Sequence, residues 1–273
     1  MPLVGAHLVD AHLVQAGVVG AITSEPLHFT ATTTGASETV TITRLTVNKP
    51  TPLLWGDGGF TILPANSTMV ITHVYASAGT YNVTLQNAAA VIELILDNAK
   101  LGGLNTRELR ASRPTYFYVT LITASTINSA DMVAWRPAAW YLFSMPAGTY
   151  TIASADMVAW RPTAWWLSTM PAAGSSYTFA ASCMRAWTLI NEIQANNLGL
   201  ASGVVDTIVM DIYAGRAGYT HSTPVLNVGG TNAAPGGVYA DEDPPVTGKG
   251  HIFELVVDPE AEGFYKWVIT YTP

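Results

Sequence analysis

Two aspartates, Asp131 and Asp156, stand 25 residues apart in almost identical surroundings, Thr126 to Pro137 and Thr151 to Pro162. Carboxylates that a fold brings together are equipment for general acid–base work or for holding a cation. The neighbouring copies of the same stretch weaken both uses. Extending the alignment puts Glu108 above the pair and Cys183 below it in one column. Carboxylates stacked at strand spacing repel one another unless a cation lies between them. Other candidates are thinner. His73 is accompanied by no serine or cysteine nucleophile motif, and His7 and His12 lie five apart, a spacing that suits neither one helix face nor a strand. Asp241-Glu242-Asp243-Pro244 is an acidic loop of a kind that is solvated or holds calcium. The chain contains no G-x-S-x-G, no H-E-x-x-H and no glycine-rich phosphate loop, and Asn227 to Asn232 fails the G-x-G-x-x-G spacing. These residues predict a protein that is not an enzyme, with no metal site and no cofactor.

The elements that carry the two aspartates are more telling than the aspartates. From Thr126 and Thr151 onward, 17 of 22 aligned positions are identical. Such duplicated units are expected to stack with equivalent side chains in register. The array extends both ways: Leu104, Ile127, Ile152 and Phe179 form one column, at spacings of 23, 25 and 27, and Leu109, Met132, Met157 and Met184 form another. Two aromatic columns follow, Phe117, Trp140 and Trp165, then Tyr118, Tyr141 and Trp166. Strand alternation sends them to opposite faces. One faces the core; the other exposes a strip of Tyr118, Tyr141 and Trp166, with Thr120, Phe143 and Ser168 nearby, suited to stacking on a sugar or to burial by a partner.

Composition narrows the class. Only 11% of the 273 residues are charged against 49% hydrophobic, and the mean hydropathy is +0.27. That apolar balance predicts surface buried against other copies of the chain. A net charge of -7 and scattered basic residues exclude a nucleic-acid partner. Residues 3–22 are interrupted by His7, Asp10, His12 and Gln15, which makes them a poor membrane span, and no basic n-region marks a signal peptide. The lone Cys183 rules out an internal disulfide. A five-residue period in residues 1–25, with alanines at 6, 11, 16 and 21, predicts an apolar arm that docks on a neighbouring subunit or on the body of its own chain, with Leu8, Leu13 and Val18 as the assembly residues.

Residues 26–88 change character to alternating β-branched strands: Leu27 to Thr33, Thr39 to Val47, Met69 to Tyr75 and Tyr81 to Leu85. Between them lie Trp55-Gly56-Asp57-Gly58, whose glycines permit a tight turn, and His73-Val74-Tyr75, with Trp55 and Tyr81 assigned to the core. At these residues, and at Ala78-Gly79-Thr80-Tyr81-Asn82-Val83-Thr84-Leu85, the segment resembles the PKD domain, an immunoglobulin-like β-sandwich. It lacks the residues that family places between Trp and Gly-Asp-Gly, and it carries Ala78 where the family prefers proline. Residues 89–188, from Val91-Ile92-Glu93-Leu94-Ile95-Leu96 through the copies, resemble an irregular leucine-rich repeat.

Residues 189–273 are read as a cap. Val204, Val205, Ile208, Val209 and Ile212 predict a helix over Ala201 to Ala214, capped by Ser202, that closes the open end of the solenoid. His251 to Val257 and Phe264 to Thr272 predict a terminal β-hairpin. With Asn227 to Asn232 and Lys266 to Thr272, this end resembles structural proteins of phages and uncultured microbes. The resemblance implies a subunit of a virion, phage tail or extracellular filament, assembled as a homo-oligomer without a classical signal. The alternative is an adhesin-like module that binds a host-surface glycan or protein through the aromatic strip.

Overall fold

The computed structural model describes residues 25–146, 148–171, 175–257 and 264–273. The fold is mainly β. The N-terminal region is built from β1 (Leu27–Thr33), β2 (Glu38–Ile42), β3 (Arg44–Val47), β4 (Thr51–Leu54), β5 (Phe60–Leu63), β6 (Ile71–Tyr75) and β7 (Gly79–Leu85). Every pairing among these strands is antiparallel, and β1 runs beside β7 from Leu27 opposite Leu85 to Thr33 opposite Gly79. Alternation in β1 is clean: Leu27, Phe29 and Ala31 are buried while His28 and Thr32 face out.

The turn Trp55 to Gly59 fixes this region. Gly56 and Gly58 have φ of +85° and +95°, and a Cβ on Gly56 would lie 2.6 Å from the Asn82 carbonyl oxygen. Asp57 Oδ1 accepts the Gly59 N–H at 2.9 Å. The buried tyrosine beside Trp55 is Tyr75, whose hydroxyl donates to the Trp55 carbonyl at 2.9 Å. Tyr81, expected in the core, is only partly buried and stacks on Tyr75 from outside, because its hydroxyl is drawn to the Ser77 carbonyl.

The repeat region comprises β8 (Val91–Leu96), β9 (Leu101–Gly102), β10 (Tyr116–Thr120), β11 (Ser125–Asn128), β12 (Ala139–Phe143), β13 (Gly148–Ala153), β14 (Ala164–Ser168) and β15 (Ser176–Thr178). Tight 3-10 turns at Thr106–Leu109, Ser129–Met132 and Ser154–Met157 return the chain. Strands β8, β10, β12 and β14 lie parallel in one sheet. A second, smaller sheet holds β11, β13 and β15. The two regions share both large sheets: β3 pairs with β8, and β9 pairs with β1.

Duplicated residues stack in register only in the larger sheet, where Phe117, Trp140 and Trp165 are direct partners. In the smaller one Ile127 lies opposite Tyr150, and Ile152 opposite Tyr177. This ladder slips by two residues from the sequence alignment, and an even slip keeps the same side chains inward. Hydroxyls set the slip, because Thr106, Ser129 and Ser154 accept the backbone N–H groups of Asn128, Ala153 and Ala180 in the following coils.

Beyond β15 the array continues instead of ending. Strands β16 (Glu192–Gln194), β17 (Val225–Val228) and β18 (Val268–Tyr271) extend the large sheet, all parallel, to eight strands. Helix α1 (Ser202–Gly215) is the return between β16 and β17, and α2 (Gly248–Val256) precedes β18. The predicted helix is present within a residue at each end, but it crosses over between strands where a terminal cap was expected. Its N-cap residue is Ala201, so Ser202 is its first residue and not its cap. The predicted hairpin is absent: residues 248–256 are helical and β18 joins β17 in parallel. Thr247 explains the helix, its Oγ1 accepting the Gly250 N–H at 3.0 Å while Ile252 and Leu255 are buried at helical spacing.

Candidate functional site

The inward face of the large sheet is one continuous column. Leu94, Phe117, Trp140, Trp165, Ile193, Leu226 and Ile269 are successive ladder partners, and all but Ile269 are fully buried. A tryptophan ladder runs beside it. Trp135, Trp160 and Trp187 are fully buried, and their indole N–H groups donate to the Leu109, Met132 and Met157 carbonyls of the preceding coils, each at 3.3 Å. These bonds tie each coil to the one before it, and the same three carbonyls also accept the Ser112, Trp135 and Trp160 backbone N–H groups of their own coils.

Asp131 and Asp156 are not brought together. Asp131 Oδ2 accepts from Thr106 Oγ1 at 3.0 Å and Oδ1 from Arg110 Nε at 2.6 Å, while Asp156 accepts from Ser129 Oγ. Each carboxylate reaches back to the hydroxyl of the coil before it, so the column is dispersed into coil-to-coil bonds. Glu108 is drawn off to His28, 3.1 Å from its Nδ1. Asp211 of α1, which no repeat pattern marks, serves the turn after β15 in the same way, accepting from the Ser182 and Met184 N–H groups and from Arg185. His73 is likewise structural: it stacks on Trp55 with ring centroids 4.8 Å apart and its Nε2 lies 2.7 Å from Asp57 Oδ2. Burial opposes ionisation of Asp57, but the His73 and Gly59 hydrogen bonds outweigh it and hold the carboxyl below its usual value.

In the acidic loop, Glu242 accepts from the Val246 and Thr247 N–H groups and from Thr247 Oγ1. Among the described residues no group of three His, Cys, Asp or Glu is placed to hold a metal ion. No helix among them is long and apolar enough to cross a membrane. The assembly residues Leu8, Leu13 and Val18, with His7 and His12, lie outside the described residues.

What the repeat does bring together is its outer face. The ladder register places Ile95, Tyr118, Tyr141, Trp166, Gln194 and Asn227 in one row. Two residues earlier on each strand, Glu93, Tyr116, Ala139, Ala164, Glu192 and Val225 form a second row. Tyr118, Tyr141 and Trp166 are half-buried, in contrast to the fully buried column one residue before them. Tyr116 and Phe143 complete the patch. Tyr116 follows from the same alternation, two residues before Tyr118, but the sequence reading left it out.

The rings do not share a plane. Tyr141 meets Trp166 at 75° with centroids 5.1 Å apart, Tyr118 meets Phe143 at 89°, and Tyr116 is inclined 41° to Tyr141. Such edge-to-face packing is the preferred arrangement of aromatic quadrupoles. Burial pushes the Tyr141 phenol up to about 12, with Tyr116 and Glu192 adding to the effect. Burial also raises Tyr118, helped by Asp97. The two carboxylates of this row differ. Glu93 accepts from Thr46 Oγ1 and faces Arg44 at 3.7 Å, whereas Glu192 makes no ion pair among the described residues and accepts from Gln194 Nε2 at 2.8 Å.

A groove of about 440 Å³ runs along the corner that ends these strands, lined by Leu121, Ser144, Met145 and Thr169 among others, none of them ionisable. In comparisons with known proteins, no family model, no curated protein and no solved structure matches this chain.

Proposed function

We propose that the chain is a structural subunit of a virion or extracellular appendage, self-assembling and bearing a PKD-like sandwich followed by leucine-rich-repeat-like coils. One observation carries this reading: the eight-stranded sheet ends at β18, whose outer edge is unpaired among the described residues and whose Val268 is 53% exposed. Open sheet edges with apolar side chains pair with another chain unless a charge blocks them. The consumption of Asp131, Asp156 and Asp211 in coil-to-coil bonds supports a scaffold, since groups that could do chemistry are spent on packing. The 23- to 27-residue period, with a strand and a 3-10 turn per coil, supports the leucine-rich-repeat analogy.

Light scattering and negative-stain imaging test the assembly. The wild type is expected to form oligomers or filaments that Val268→Lys dissociates without changing its circular dichroism. A wild type that stays monomeric at high concentration overturns the reading.

A second function, recognition of a host-surface glycan, is favoured by the half-exposed rings of Tyr118, Tyr141 and Trp166. It is compatible with the first. Glycan-array binding that disappears in the Tyr141→Ala, Trp166→Ala double variant supports it, and equal binding by both proteins removes the strip from consideration.

A further inference from the structure

Sugar recognition by aromatic side chains needs a flat ring face and, around it, polar groups with spare hydrogen-bonding capacity. This surface is poor in the first. Its rings stand at 41° to 89° to one another. The amides next to it make local bonds, Gln194 Nε2 donating to Glu192 and Asn227 Oδ1 accepting the Gly229 N–H. What the surface offers instead is inclined aromatic rings beside a carboxylate that has no counter-ion among the described residues.

In the row of Tyr116, two alanines, Ala139 and Ala164, separate that ring from Glu192. Having no side chain beyond Cβ, they leave room for the surrounding rings, which cover them to 6% and 9% exposure while remaining half-exposed themselves. Glu192 stands one strand beyond Ala164, and the row continues past it to Val225 and Val268. Glu93, on the other side of Tyr116, has Arg44 as its cation; Glu192 has no ion-pair partner among the described residues.

We infer that the patch of Tyr141 and Trp166 with Glu192 binds a trimethylammonium group, carried as a choline-type substituent on a surface glycan. A rounded cation has no preferred plane, so rings inclined to one another are no handicap, and cation–π attraction from both rings adds to the carboxylate's charge. A bare membrane surface is a poorer source of the group, because Glu93, Glu192, Gln194 and Asn227 ring the patch where a bilayer would demand apolar or basic side chains. The inference rests on the recognition reading and narrows its ligand.

Calorimetry and NMR titration of the full chain with choline test it. Choline and tetramethylammonium are expected to bind with a Kd of roughly 1 mM or tighter. The neutral isostere 3,3-dimethylbutan-1-ol should bind at least about tenfold more weakly, since it keeps the shape and loses the charge. Glu192→Gln should weaken choline several-fold, and Trp166→Ala should do so by about tenfold or more, with unchanged circular dichroism confirming that each variant folds. Equal affinity for choline and its neutral isostere overturns the cationic class. Binding of maltotriose but not choline, lost in Trp166→Ala, overturns this inference and leaves the recognition strip standing. Binding to neither overturns both, and binding to phosphatidylcholine vesicles without binding to soluble choline overturns the assignment of the source.

Discussion

The antiparallel N-terminal region and the coils each bury tryptophan, and they satisfy it differently. Trp55 sits once, at a turn, with its indole N–H on Thr61 Oγ1 at 3.0 Å and its carbonyl on Tyr75, partners 6 and 20 residues away. Trp135, Trp160 and Trp187 recur, and each reaches into the coil before it, 26 to 30 residues back. The N-terminal region closes its polar groups within a local antiparallel unit. A coil closes them only when its neighbour is in place, so its stability is mostly interface, as in other stacked repeats.

The largest effect should come from cutting that ladder. Trp160→Ala removes a fully buried indole that packs on Trp140 and takes away its hydrogen bond to the Met132 carbonyl of the preceding coil. A loss of about 3–5 kcal/mol is expected, as for other buried aromatics truncated to alanine. Trp55→Ala should cost a similar amount, but the damage should be distributed differently. Hydrogen exchange should rise in both β12 and β14 for Trp160→Ala while β1 and β7 keep their protection, and the pattern should reverse for Trp55→Ala. If both variants open both regions equally, the shared sheets make the molecule one cooperative unit and the contrast drawn above fails.

The repeat was legible in the sequence because it is an identity pattern, and the inward and outward aromatic columns followed from strand alternation alone. The slip of two residues in the smaller sheet was not legible, since it depends on which hydroxyl meets which N–H across coils. Asp131 and Asp156 showed their period but not their partners, for the same reason. The terminal hairpin failed on a known ambiguity: Ile252, Phe253, Leu255 and Val256 fit helix and strand about equally over so short a run. Thr247, whose side chain caps the helix, was the signal that would have decided it. Glu192 was passed over at the outer face because its place beside Ala164 exists only through the parallel register.

The junction of the two regions gives a smaller, pH-dependent effect. Lys100, in the loop after β8, lies 2.7 Å from Glu38 of β2 and also donates to the Thr39 carbonyl. The hydrogen bond from Lys100, then those from the Thr34 and Gly35 N–H groups, lower the Glu38 carboxyl from 4.5 to about 2. A carboxyl whose folded value is depressed stabilises the fold fully above its unfolded value and loses that contribution as pH falls through the folded one. The window here runs from 4.5 down to about 2. The urea midpoint of Glu38→Gln should therefore lie below that of the wild type at neutral pH, with the gap closing as pH approaches 2. A gap that persists unchanged below that value would mean the pair is not what joins the regions here.

The smallest effect sharpens the contrast at the turns. In the N-terminal turn the positive φ angles fall on Gly56 and Gly58, but the corner after β10, β12 and β14 puts them on Leu121, Ser144 and Thr169, with φ of 61°, 49° and 52°. Later coils carry Asn197 and Gly230 in left-handed conformations near the same corner. Asparagine and glycine accept that conformation readily, whereas a β-branched residue is strained in it. Thr169 is exposed, so its side chain contributes little packing, and its N–H keeps the Asn196 carbonyl whatever residue stands there. Thr169→Asn should stabilise the chain by about 0.5–1 kcal/mol, as relief of one strained residue does. That corresponds to a melting temperature about 1–3 °C higher. The reciprocal Asn197→Thr should cost more than this gain, because Asn197 Oδ1 also accepts the Thr231 N–H at 3.1 Å. Equal and opposite shifts would reduce the difference to backbone strain alone; a larger loss at 197 would show that the later coils use the corner residue as a bond between coils, which the earlier ones do not.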